Sequence, residues 1–139
     1  MGLFSSMRIS GSALTAQRLR MDVIAGNIAN ADTTRLNGQR QPYQRQQVMF
    51  EPLSTPGSTS AAQGLQVASI IKDQTPGRQV YDPANPDADP STGLVAYPNV
   101  DTTTEMTDML AASRAYEANV TVLNSIKQMA QRSIDLGRA

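Results

Sequence analysis

Residues 101–137 read DTTTEMTDMLAASRAYEANVTVLNSIKQMAQRSIDLG, and the spacing within this stretch decides the fold. Met109, Tyr116, Leu123 and Ala130 form one row with a seven-residue repeat. A second row runs Met106, Val120 and Ile134, with Ser113 and Lys127 in its polar places. Side chains three and four apart share a stripe of an α-helix, and an apolar stripe needs a partner helix to cover it. Asp101 and Thr102 mark the start, and Thr102 with Glu105 has the Thr-x-x-Glu spacing of a capping box. Gly137 supplies the stop. At 1.5 Å per residue, about thirty-five residues make a rod of roughly 50 Å, too long for a compact domain of this size.

The other end of the chain carries a matching pattern. Over residues 3–30, Met7, Leu14, Met21 and Ile28 repeat every seven residues, with Leu3, Gly11, Ile24 and Ala25 flanking the same face. Arg18, Arg20 and Asp22 fall off it. Two such helices predict a bundle, within one chain or between copies.

Between them the chain changes character. Asn27 to Thr34 is rich in Asn, Asp and Thr, whose side chains compete with the backbone for hydrogen bonds and suit a helix exit. Asn37-Gly38 is a turn signal. Residues 39–50 are glutamine-rich and extended, ending in a candidate strand at Val48-Met49-Phe50. Ser54 to Gly64 has the composition of a surface loop. Gly64 to Ile71 alternates apolar and polar residues and reads as a strand, and Arg78 to Tyr81 is a short strand expected to pair with it. Asp82 to Pro90 holds Pro83, Pro86 and Pro90 and cannot be regular structure. Leu94 to Tyr97 is a last extended piece before the second helix. The expected fold is mainly α with a small β-rich insert. It divides into an N-terminal helix region 1–34, an extended and β-rich middle 35–99, and a C-terminal helix region 100–139. Since the chain goes out and comes back, the helices should pack antiparallel as a coiled-coil-like pair.

Composition narrows the function. The 139 residues are 40% apolar, but tryptophan is absent and aromatics are 4%, too few large side chains for a self-contained core. Twelve basic and twelve acidic residues cancel, so net charge selects no partner. Residues 1–45 hold six arginines against Asp22 and Asp32, an asymmetry suited to head-to-tail contacts between copies. The chain lacks cysteine and histidine, which excludes disulfides, thiolate chemistry, Ser-His-Asp and Cys-His catalysis, and most zinc and iron sites. No apolar run reaches membrane-spanning length, and a basic-then-apolar leader is missing.

Candidate chemical motifs fail on inspection. Asp87-Ala88-Asp89-Pro90-Ser91 opens like a calcium loop, but Thr92 and Pro98 stand where glycine and glutamate are needed. Met1-Gly2-Leu3-Phe4-Ser5-Ser6 fits a loose myristoylation pattern but runs straight into a helix, and Asn119-Val120-Thr121 lies within one. The arginines lack aromatic interleaving, which argues against nucleic acid. No enzyme, cofactor, metal or small-molecule substrate is expected.

Three segments carry a family resemblance. Gly11-Ser12-Ala13-Leu14-Thr15-Ala16-Gln17 leads into Asn27-Ile28-Ala29-Asn30-Ala31-Asp32. In the middle, Val80-Tyr81-Asp82-Pro83 and Asn85-Pro86-Asp87-Ala88-Asp89 precede Gly93 and Tyr97-Pro98-Asn99-Val100. At the end come Glu105-Met106 and Ala112-Ser113-Arg114-Ala115-Tyr116-Glu117-Ala118-Asn119-Val120. The chain resembles the bacterial flagellar basal-body rod proteins, in particular the proximal-rod C class. It departs from the pattern at Asp32, where many axial subunits have asparagine, and at Leu94, where many C-class members have an aromatic.

The resemblance implies a structural subunit, stacked helically into the hollow periplasmic rod that passes motor torque to the hook and filament and encloses the export channel. It implies terminal helices packed into an inner tube and a middle segment bridging neighbours. The implied partners are copies of itself, other rod proteins, the rod-base adaptor, the membrane ring and the flagellar type III export apparatus, which needs no cleaved signal peptide. The helix pattern alone would equally suit a coiled-coil adaptor for a soluble partner. Candidate subunit-interface residues are Met7, Leu14, Met21, Ile28, Met106, Met109, Tyr116, Val120, Leu123 and Ile134. Ordering a residue costs roughly 1.5 kcal/mol, more than two lone helices recover by burial. The isolated monomer is therefore expected to be disordered at its ends. Circular dichroism should show less helicity than both full helices require; full cooperative helicity would contradict this.

Overall fold

A computed structural model describes residues 2–53 and 64–137. The loop expected at 54–63 lies outside them. The elements are α1 (Leu3–Ala29), β1 (Gln46–Pro52), β2 (Leu65–Lys72), β3 (Gln79–Tyr81), β4 (Leu94–Ala96) and α2 (Thr102–Leu136). Two long helices thus flank a small β region made of two two-stranded sheets, β1–β2 and β3–β4.

The helix ends follow from local side chains. At the exit of α1, the Asn30 amide donates to the Gly26 carbonyl at 2.8 Å, and the Thr33 hydroxyl donates to Asn30 Oδ1 at 3.2 Å. Asn37 (φ 52°) and Gly38 (φ 78°) are both left-handed, as a type I′ turn requires, and Leu36 and Gln39 exchange backbone bonds across them. Asp101 caps α2: its carboxylate accepts from the Thr103 amide at 3.0 Å and the Thr104 hydroxyl at 2.9 Å. The expected capping box is corrected here. Glu105 turns its carboxylate inward, to Asn27 and Arg45, instead of back to the helix start.

Strand pairing also differs from expectation. β2 pairs with β1, and the strand at Arg78–Tyr81 pairs with β4 instead of β2. The proline-rich loop 82–93 turns the chain back on itself, setting Val80 opposite Val95 in an antiparallel register that leaves Val95 fully buried. β2 already has a partner, its neighbours being tied by the Leu53 amide to the Gly64 carbonyl and the Asp73 amide to the Arg45 carbonyl.

The chain divides into two compact units. In one (Met1–Met21, Val48–Ser69, Leu110–Ala139), Ala16, Ala112 and Ile126 are buried, and Ser12 Oγ accepts from the Leu65 amide at 3.0 Å, fastening β2 to α1. Gly64 lies so close that a Cβ there would stand 2.6 Å from Ser12 Oγ. In the other (Asp22–Gln47, Ile70–Met109), Ile24, Asn27, Val95 and Glu105 are buried, and the Arg78 guanidinium stacks 4.6 Å from the centre of the Tyr97 ring. Gly77 is held against this segment: a Cβ there would overlap the Tyr97 carbonyl oxygen, and backbone cannot swing aside as a side chain can. Gly77→Ala should lower stability by about 1–3 kcal/mol, a melting shift of several degrees. An unchanged melt would refute the close approach.

Candidate functional site

Asn27 stands in the last turns of α1, 1% exposed, and all four hydrogen-bonding positions of its amide are used. Nδ2 donates to the Gln46 carbonyl at 2.8 Å and to Glu105 Oε2 at 2.9 Å. Oδ1 accepts from the Gln46 amide at 2.9 Å and the Tyr43 hydroxyl at 3.0 Å. The side chain thus meets Gln46 as a neighbouring strand would. Glu105, in the first turn of α2, is also 1% exposed; its Oε1 accepts from Arg45 Nε at 2.5 Å. The positive end of the helix dipole and the Arg45 guanidinium together offset the burial of this carboxylate. Arg45 reaches Asp108 as well, at 3.3 Å.

The cluster is tied to the surrounding backbone. Asn99 Oδ1 accepts from the Arg45 amide at 2.8 Å, and Asn99 Nδ2 donates to the Asp73 carbonyl at 3.1 Å. Burial first, and the negative charge of Glu105 second, push the Tyr43 hydroxyl above its ordinary pKa. Nearby, Asp87 accepts from the Thr34 hydroxyl at 2.6 Å and Arg35 Nε at 2.8 Å. The Thr34 bond chiefly, with the Arg35 charge, holds Asp87 below the usual carboxylate range against an opposing effect of desolvation. The carboxylates considered for a calcium loop are thus engaged otherwise, Asp87 by the segment after α1 and Asp89 by Ser91.

The candidate interface residues lie elsewhere. Met7, Leu14, Met21, Ile28, Met109, Tyr116, Val120 and Leu123 are half-buried, while Met106 (60% exposed) and Ile134 (62%) face solvent. On α2 the most buried row is Glu105, Ala112 and Ile126, one residue off the row Met106, Val120 and Ile134. On α1 it is Ser10, Ala16, Ile24 and Asn27. Sequence reasoning missed the Asn27–Arg45–Glu105 cluster because Asn27 and Glu105 were read as local helix-end residues. The available signal was spacing: Glu105 stands seven residues before Ala112 and twenty-one before Ile126.

The chain is similar in sequence to known proteins. Residues 7–35 match the family model described as flagella basal body rod protein, and residues 91–136 match that of the flagellar basal body rod FlgEFG protein C-terminal region. The class is that of flagellar rod proteins. Over the whole chain, it is 41% identical to the flagellar basal-body rod protein FlgC of Bacillus subtilis (strain 168), covering 99% of this chain and 100% of that one. It is 48% identical to that of Borreliella burgdorferi over 93% of each, and 45% identical to that of Escherichia coli O6:H1 over 99% and 100%. The chain belongs to the FlgC family of flagellar basal-body rod proteins, and the resemblance carried by the three sequence segments is borne out. Asn27, Thr34 and Arg35 fall in the first matched region, and Asn99, Glu105 and Asp108 in the second.

The raised Tyr43 pKa has a pH signature. Folding favours the neutral hydroxyl, so its stabilisation is complete below the unfolded value near 10 and is lost as pH rises through the higher folded value. Tyr43→Phe should flatten the loss of stability above about pH 10 relative to the native chain, measured by urea unfolding. Identical alkaline limbs would overturn the assignment.

Proposed function

We propose that this chain is a structural subunit of the flagellar basal-body rod, stacking with copies of itself and with other rod proteins into a hollow shaft. The observation that carries the reading is the apolar surface that one chain leaves uncovered on α2. Met106, Leu110, Val122, Met129, Ile134 and Leu136 are exposed by 48–80%. Large side chains of this kind along a helix want covering by neighbours.

In this reading α1 and α2 run antiparallel and regions 1–34 and 100–139 form the inner tube, while 35–99 bridges to adjacent subunits. The bond from Asn27 near the end of α1 to Glu105 near the start of α2 supports that arrangement. The seam uses Met7, Leu14, Met21 and Ile28 on α1, and Met106, Met109, Tyr116, Val120, Leu123 and Ile134 on α2. Many such contacts share torque, so no single one carries it. The chain passes through the flagellar type III export apparatus, takes its place in the periplasmic rod, and meets the rod-base adaptor and the membrane ring. Its task is mechanical, without catalysis.

Leu123→Asp should abolish rod assembly and motility. Ile134→Asp, at a solvent-facing position, should do the same while leaving the circular dichroism of the monomer unchanged. Normal swimming by the Ile134 variant would remove that residue from the seam, and normal swimming by both would refute the seam.

A further inference from the structure

The cluster of Asn27, Arg45 and Glu105 does something that apolar contacts at the same place would not. A one-residue slip of α1 rotates its side chains by about 100° and shifts them about 1.5 Å along the axis. Apolar packing tolerates such a slip, because Ile24, Ala25 and Ile28 offer similar surface on adjacent positions. The amide of Asn27 does not: slipped, it leaves the Gln46 backbone, the Tyr43 hydroxyl and Glu105 Oε2 without their partner. A slip of β1 is equally punished, since it turns the Arg45 guanidinium to the opposite face of the strand and strands Glu105 in the interior. Buried ionic groups commonly add little net stability over apolar replacements, yet a single buried polar residue can select one register from several.

We propose that Asn27, Arg45 and Glu105 are a register pin: specificity-determining residues that admit one alignment of the end of α1, the start of β1 and the first turn of α2, without making the unit more stable. The pin works by making every other alignment pay for an unpaired buried charge or amide. Tyr43 and Asn99 are positioning residues for it, holding Asn27 and the Arg45 backbone.

The test uses the full chain in solution and two variants, followed by thermal melting and by the amide proton–nitrogen correlation spectrum. Arg45→Met leaves the buried Glu105 carboxylate without its countercharge and should melt about 10 °C below the native chain. The triple change Asn27→Leu, Arg45→Met, Glu105→Leu removes the whole cluster and should melt at or above the native temperature. Its spectrum should show doubled or exchange-broadened cross-peaks for residues 22–47 and 70–109, where the native chain shows one sharp set. A triple variant that melts below the native chain makes the cluster a plain stabiliser and overturns the proposal. So does a triple variant with a single sharp set of peaks, or a native chain that does not melt cooperatively, because the pin acts before assembly. These readouts come from the isolated chain, so their failure is distinct from failure of the rod reading, which motility tests.

Discussion

A glutamate carboxylate with 1% of its surface exposed is the constraint around which one half of this chain is arranged. Removing one partner of such a buried pair costs roughly 3–5 kcal/mol, so the surroundings must deliver every partner at once. Arg45 supplies the countercharge, Asn27 supplies a neutral donor, and the first turn of α2 supplies a favourable dipole. Each of those then draws in its own neighbours. Asn27 fixes Gln46 and Tyr43, while the Arg45 backbone fixes Asn99 and Asp73. Residues far apart in the chain become one unit because a single charge demands it.

The rest of the molecule is held differently. Among the described residues the buried apolar set is Ala16, Ile24, Val95, Ala112 and Ile126, two of them alanines. At roughly 1.5–3 kcal/mol for a fully buried large aliphatic side chain, such a set does not by itself outweigh the ordering of two helices of 27 and 35 residues. Covering the half-buried and exposed apolar residues with neighbouring subunits would supply what one chain lacks. Cooperative folding and assembly then become the same event for the helical parts, while the unit that holds Ile24 and Val95 keeps buried apolar contacts of its own.

How much of this was legible depended on the kind of force involved. Helix positions were readable because heptad spacing and the absence of internal proline speak locally, and the predicted span 3–30 matches Leu3–Ala29. β2 was readable from alternation, whereas β1 was found only as the candidate at Val48-Met49-Phe50, and its pairing with β2 was not foreseen. The partner of β3 was not, because three residues of strand carry no pairing information, and a long loop chose between β2 and β4. Glu105 was misread for a related reason: a capping box and a buried ion pair begin with the same residue at the same place. What separates them is Arg45, sixty residues earlier, and nothing local announces that meeting. The apolar rows were found but set one residue aside from the most buried positions. Small and polar side chains, Ser10, Ala16, Asn27, Glu105 and Ala112, occupy those positions, and hydrophobicity does not point to them.

The division between a buried polar cluster and exposed apolar helix residues suits a shaft built from more than one kind of subunit. Hydrogen bonds and ion pairs are directional, so a knot such as Asn27–Arg45–Glu105 defines geometry tightly but accepts a single arrangement of partners. Apolar contacts are non-directional, and methionine in particular adapts to irregular neighbours. Met7, Met21, Met106, Met109 and Met129 all lie on the helices, outside the buried polar cluster. A subunit that must meet different proteins along a rod gains by keeping its exacting interactions inside the chain and its forgiving ones on the outside.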